Sequence, residues 1–247
     1  MNNPRPVIIL IHGATLNGRS WGPVQRLLEP HYRVLAPDLP GHGARRGEPF
    51  TLQGAVDTIV AAARSVAPAP LILAGDSLGG FTAQASARAL PREQLKGLVL
   101  GGSSHNLSGM SLLPYLAKAA TFGVLLMLFN EKKLVDEKFP KVLLGMGFEK
   151  EEVAAILAAG LGFKAFTQAV RGLAGIDFRS QLAAIPQPVM FINGDLDKVH
   201  VRGEAHFVAA ARHATVHRFA DCEHGVSLLR RPEFAALVQQ FADRAFA

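Results

Sequence analysis

Two kinds of hydrophobic pattern alternate along this chain. Short β-rich apolar runs recur at Val7-Ile8-Ile9-Leu10-Ile11, Arg33-Val34-Leu35-Ala36, Leu71-Ile72-Leu73-Ala74, Leu98-Val99-Leu100, Pro188 to Asn193 and Thr215 to Ala220. Runs without a polar alternation suit parallel strands buried on both faces. Between them lie longer stretches that read as helices, near residues 20–29, 52–66, 79–90, 202–212 and 227–245. Pro232 interrupts or starts the main body of the last one. Alternating strands and helices predict an α/β fold, with a mostly parallel sheet of about six strands flanked by helices.

Residues 104 to about 180 break the rhythm. They show no strand pattern and read as mostly helical. Within them Leu112, Leu113, Leu116, Phe122, Val124, Leu125, Leu126, Met127, Leu128 and Phe129 form a dense apolar set. The uninterrupted part is too short to span a bilayer, and Lys118 and Asn130 bracket it. A helix apolar on all sides is usually buried, so most of this set is expected in a helical core. Some members are expected to face a dry pocket. Lys132, Lys133, Asp136, Glu137 and Lys138 read as a solvated hinge.

Candidate chemistry begins at Gly75-Asp76-Ser77-Leu78-Gly79, directly after an apolar run and at the start of a helical stretch. A serine pinched between glycines at a strand-to-helix turn has its hydroxyl forced out of the backbone. In a glycine-rich chain the bare motif arises by chance often enough that its context matters. The context supplies an acid and a histidine, each just past a predicted strand. Gly194-Asp195-Leu196-Asp197 follows the run at 188–193, and Asp221-Cys222-Glu223-His224-Gly225 follows the run at 215–220. In open parallel sheets the carboxyl ends of the strands share one crevice, so residues distant in sequence meet there.

These residues resemble the serine α/β-hydrolases. The resemblance covers nearly all of the chain outside 104–180, and rests on His12-Gly13, Asp38 to Gly43, Gly75 to Gly79, Gly194-x-x-Asp197 and His224-Gly225. The order Ser, acid, His is that family's order. It implies a Ser77 nucleophile, a His224 base and an Asp197 that fixes the imidazole tautomer. The Leu78 N–H, at the helix start beside the nucleophile, is one expected oxyanion donor. The resemblance supplies the second, the N–H of Ala14. It also implies a helical cap over residues 104–180, inserted after the strand near 98–102, on a core of 1–103 and 181–247. The opening Leu10 to Thr15 followed by Trp21 is similar to a compact subgroup that starts at the family's third strand, the plant methyl esterases and hydroxynitrile lyases. Gly13 after His12, and no lysine beyond Lys198, weigh against the lyase chemistry.

Each residue has a plainer rival. Asp195 offers a second carboxylate, and the Gly-x-x-Asp spacing favours Asp197, leaving Asp195 to bond its own backbone in the turn. His12 and His42 read as loop-ordering residues. Asp76 stands where histidine is common in the related pattern Gly-His-Ser-Leu-Gly-Gly. It reads as a loop hydrogen-bonder, with an effect on His224 as the rival. The single cysteine, Cys222, lacks an elbow and reads as a small packed residue. No His/Cys spacing suggests a metal site.

At 247 residues and 49% apolar content, a large buried sheet is the natural reading. Net charge is +6, but the basic pairs Arg45-Arg46, Lys132-Lys133 and Arg230-Arg231 are scattered, so nucleic acid is not an expected partner. A strand close behind Met1 predicts no signal peptide, and one cysteine fits a reducing cytoplasm. The expected protein is a cytoplasmic, cofactor-independent carboxylic ester hydrolase for small to medium hydrophobic esters. Thioesterase, lactonase, amidase or C–C hydrolase chemistry, or ligand binding without catalysis, are the alternatives. Nothing in the sequence sets an oligomeric state.

Overall fold

The computed structural model describes residues 5–128 and 134–247, with the side chains of Ser111, Phe122, residues 125–128 and Leu134 excepted. Six parallel strands form one sheet: β1 Val7–Ile11, β2 Arg33–Leu35, β3 Leu71–Asp76, β4 Leu95–Gly101, β5 Val189–Gly194 and β6 Ala214–Phe219. Their order is β2-β1-β3-β4-β5-β6. The chain therefore starts inside the sheet, builds outward to β2, crosses back to β3, and then proceeds to the other edge.

Every residue of β1 and β3 is buried, because helices cover both faces. Alternation along β1 divides the core in two. Val7, Ile9 and Ile11 pack with Ala55, Ile59, Phe81, Phe178 and Phe207 from one helical layer. Ile8 and Leu10 pack with Trp21, Val24, Leu28, Phe234 and Val238 from the other. The first layer holds the helices Leu52–Arg64, Leu78–Ala87, Phe178–Ala183 and Lys198–Ala210, and the second holds Gly22–Leu28 and Arg231–Phe246. The predicted last helix is two pieces, Val226–Leu229 and Arg231–Phe246, with Pro232 in the first turn of the second. That is where a missing N–H costs least.

Between β4 and β5 the described part of the chain carries helices and no strand, among them Leu113–Leu128, Phe139–Gly145, Lys150–Ala159 and Phe163–Leu173. Three described members of the predicted apolar set do not enter the core of this region. Leu113, Leu116 and Val124 are 61%, 40% and 52% exposed. Phe129, Asn130, Lys132 and Lys133 lie outside the described residues, as do the side chains of Phe122 and residues 125–128. The buried cluster is instead Leu143, Phe148, Val153, Ile156, Leu161 and Phe163, which closes over Leu16 of the β1 loop. A helix can bury only the faces that meet a neighbour, and this one packs mainly against Phe163–Leu173. Among the described residues, no helix is long and apolar enough to cross a membrane.

Candidate active site

The tight turn after β3 sets the position of Ser77. Its backbone sits at φ 56°, ψ −119°, a conformation non-glycine residues rarely hold. The turn is held by Ser77 N–H donating to Gly101 of β4 at 2.8 Å, and by the Ser77 carbonyl accepting from Gly80 at 2.9 Å. Two glycines make the approach possible. A Cβ on Gly75 would stand 2.3 Å from the Gly79 carbonyl, and one on Gly79 would stand 1.9 Å from the Ile11 carbonyl oxygen. The helix Leu78–Ala87 can therefore start almost in contact with the end of β1.

Asp197 and His224 come from the loops after β5 and β6. His224 Nε2 lies 2.9 Å from Ser77 Oγ, and His224 Nδ1 lies 2.6 Å from Asp197 Oδ2. The imidazole is at the mouth of the crevice, with 45% of its side-chain surface accessible, and the carboxylate is 9% exposed. Burial opposes the imidazolium. The Asp197 hydrogen bond and the charges of Asp76 and Asp197 outweigh it, so the His224 pKa is raised above the ordinary 6.5. Burial also opposes the charge on Asp197. Hydrogen bonds from His224 and from the backbone of His200 overcome it and hold the carboxyl below its usual range. This hydrogen-bonded series can move a proton from a hydroxyl to a base while the acid stays ionised.

The β1 loop closes the other side of the crevice. A Cβ on Gly13 would lie 3.6 Å from Ser77 Cβ, so this loop runs directly past Ser77. Among the described residues, neither the Ala14 N–H nor the Leu78 N–H donates to an acceptor in the chain. His12 accepts from Leu39 N–H through Nε2 at 3.1 Å, which assigns Nδ1 as the donor to the Gly13 carbonyl at 2.8 Å. His42 bonds the Pro40 carbonyl at 2.9 Å and meets His12 edge to face. Burial, reinforced by His12, pushes the His42 pKa down to about 3. Both rings are neutral braces between the β1 and β2 loops.

Other candidates take lesser places. Asp195 stays in the turn, but its Oδ1 is buried with no partner, so it does not make the expected bond to its own backbone. Cys222 is buried in the second core layer and burial raises its thiol pKa, which leaves it a poor nucleophile. Asp136, Glu137 and Lys138 are exposed, as a solvated segment would be. His200 was not among the predicted residues. It is 2% exposed and its ring stacks on His224 at 5.2 Å between centroids. Burial and the neighbouring His224 push its pKa down to about 3, so it does not compete for the proton. The available signal was its position three residues beyond Asp197, at a helix start. Asp197, His200 and His224 place donor atoms within 4.8 Å of one another. Asp197 and His224 spend theirs on each other, which argues for proton transfer over metal ligation.

A cavity of about 670 Å³ opens over Ser77 and His224. Its apolar wall is built by Leu16, Trp21, Phe139, Met146, Phe166 and Leu228. Among its described side chains, the helix Leu113–Leu128 contributes Ala117, Lys118 and Thr121 to the lining.

The family model for the alpha/beta hydrolase family matches residues 8–237. A pimeloyl-[acyl-carrier protein] methyl ester esterase of Xanthomonas axonopodis pv. citri (strain 306) is 28% identical over 246 residues, covering 96% of this chain and 94% of that protein. Among solved structures, a thermophilic esterase from Thermogutta terrifontis superposes with a TM-score of 0.73 at 17% identity, covering 98% and 91% of the two chains. The enol-lactonase from Burkholderia xenovorans LB400 superposes with a TM-score of 0.69 at 20% identity, covering 96% and 91%. The strand order, the serine turn and the family match together mean that this chain belongs to the alpha/beta hydrolase family.

Proposed function

We propose that this protein is a carboxylic ester hydrolase that works through an acyl-enzyme on Ser77. The observation that carries the reading is the unbroken hydrogen-bonded series Ser77–His224–Asp197, at 2.9 and 2.6 Å, on the floor of a largely apolar cavity. Likeness along most of the chain to a methyl ester esterase supports an ester as the substrate.

Ser77 Oγ attacks the ester carbonyl carbon as His224 Nε2 takes its proton. The oxyanion is held by the N–H groups of Leu78 and Ala14, both free for that task. Collapse breaks the bond to the alcohol oxygen, and the imidazolium returns the proton to it. Water then repeats the sequence on the acyl-enzyme and releases the acid. Asp197 keeps its charge throughout and stabilises the imidazolium. Residues 104–180 act as a cap over a core of 1–103 and 181–247. The apolar lining of the cavity favours small to medium hydrophobic acyl or alcohol groups. A cytoplasmic location rests on the lone cysteine.

The direct test is incubation with a fluorophosphonate, adduct mapping by mass spectrometry, and turnover of p-nitrophenyl butyrate. A single adduct on Ser77 with turnover is expected. Turnover without that adduct would place the nucleophile elsewhere, and neither would indicate a ligand-binding protein on the same fold. A second prediction concerns pH. His224 must be neutral to act as base and its pKa is raised. The kcat/KM is therefore lost below the inflection and rises to a plateau above it, with the inflection above 6.5. A flat profile across pH 5–8 would rule out a histidine base.

A further inference from the structure

Asp76 has no part in the triad, yet it sits directly before the nucleophile and lines the same cavity as Ser77 and His224. It is only 4% exposed. One oxygen, Oδ2, accepts from the backbone N–H of Ser227 at 3.3 Å and from the Ser227 hydroxyl. The other, Oδ1, is buried with no hydrogen-bond partner. A buried acceptor left unpaired costs free energy, and it calls for a reason.

The surroundings of Gly102 supply one. This residue sits at φ +50°, and a Cβ placed on it would lie 2.7 Å from His224 Cε1, 3.0 Å from His224 Nδ1 and 3.3 Å from Asp76 Oδ1. The unpaired oxygen and the Cε1 edge of the imidazole thus border one small space that a glycine leaves empty. That edge gains positive charge when His224 takes the serine proton. We propose that Asp76 is a positioning residue, a second carboxylate that acts with Asp197 to stabilise the protonated form of His224.

The groups around His224 fit this role. Asp197 holds Nδ1 and Ser77 meets Nε2. His200 covers one face of the ring, with His105 edge-on behind it. Burial lowers the pKa of both histidines, so they carry no charge to answer the imidazolium. Lys118, from the helix over the crevice, works against it. Asp76 offsets that cation. Its charge favours the imidazolium. Asp76 forms and breaks no bond. The proton passes from Ser77 Oγ to His224 Nε2 and on to the leaving oxygen, with Asp76 outside the transfer.

A plainer role is available: Asp76 tethers the helix Val226–Leu229 through Ser227, and nothing more. Two variants separate the readings. Asp76→Asn keeps an acceptor for Ser227 and removes the charge, whereas Ser227→Ala removes the hydroxyl tether and keeps the charge. The measurement is the pH profile of kcat/KM for p-nitrophenyl butyrate. In Asp76→Asn the rising limb is expected to move to lower pH by about one unit, as for loss of a nearby opposite charge. The plateau should fall several-fold, because a less basic histidine is a weaker base. Ser227→Ala should leave the inflection in place. An unmoved inflection in Asp76→Asn, or an equal move in both variants, overturns the proposal. If Asp76→Asn does not fold, the small neutral Asp76→Ser is read in the same way. The inference rests on the Ser77–His224–Asp197 reading, and fluorophosphonate labelling of the unmodified protein tests that separately. Labelling at Ser77 with an unmoved profile sinks only the role of Asp76.

Discussion

Ser77→Ala is expected to lower kcat/KM for ester hydrolysis by about 10⁶ while leaving the thermal transition close to that of the parent protein. The loss is large because no neighbouring group can substitute. Cys222 faces the core and Asp195 is confined to its turn. Among the described residues, only Ser77 combines a raised hydroxyl with a histidine 2.9 Å away. The fold should survive, since alanine tolerates the same strained backbone at φ 56° about as well as serine. Parallel kinetics and circular-dichroism melts check both halves. Activity within tenfold of the parent would move the nucleophile elsewhere, and a collapsed melting curve would mean that the hydroxyl also has a structural task.

Gly79→Ala is expected to be the most damaging single-methyl change in the chain, costing at least about 4 kcal/mol of stability. Its Cβ would stand 1.9 Å from Ile11 O, 2.6 Å from Ile11 C and 2.9 Å from His12 O. All three are backbone atoms, in or next to a fully buried strand, so no side chain can swing away to make room. Relief requires the helix Leu78–Ala87 to back off from β1, which moves the Leu78 N–H and Ser77 together. Urea denaturation of the variant measures the cost. A midpoint within experimental error of the parent would show that the turn has slack, and that its tightness does not set the nucleophile position.

Much of this arrangement is readable in the sequence, and the reason is physical. A parallel strand covered on both faces must be apolar at successive positions, so β1 and β3 stand out without any periodicity analysis. Residues just past such strands share one crevice, and that rule alone brings Ser77, Asp197 and His224 near one another. The region between β4 and β5 was less legible. Apolar content says that a helix has partners to meet, but not which face meets them. Leu113 and Val124 are exposed while Leu143 and Ile156 are buried. His200 was also invisible, because stacking on His224 depends on how the helix after Asp197 leaves its loop. Asp76 was visible only as an oddity. Its hydrogen bond to Ser227 spans more than half the chain, and no local pattern encodes it.

The strand order also has a kinetic meaning. β4 ends at Gly101 and its neighbour β5 begins at Val189, so these two strands pair only after the whole helical insertion has been looped out. Closure of so long a loop is an entropic penalty that must be met before the contacts that repay it can form, which makes this seam a late event in folding. The seam divides the sheet between its two working halves. Ser77 follows β3 on one side, and Asp197 and His224 follow β5 and β6 on the other. Ser77 therefore meets Asp197 and His224 only when that seam is paired, so the geometry of the site is tied to the pairing of β4 with β5.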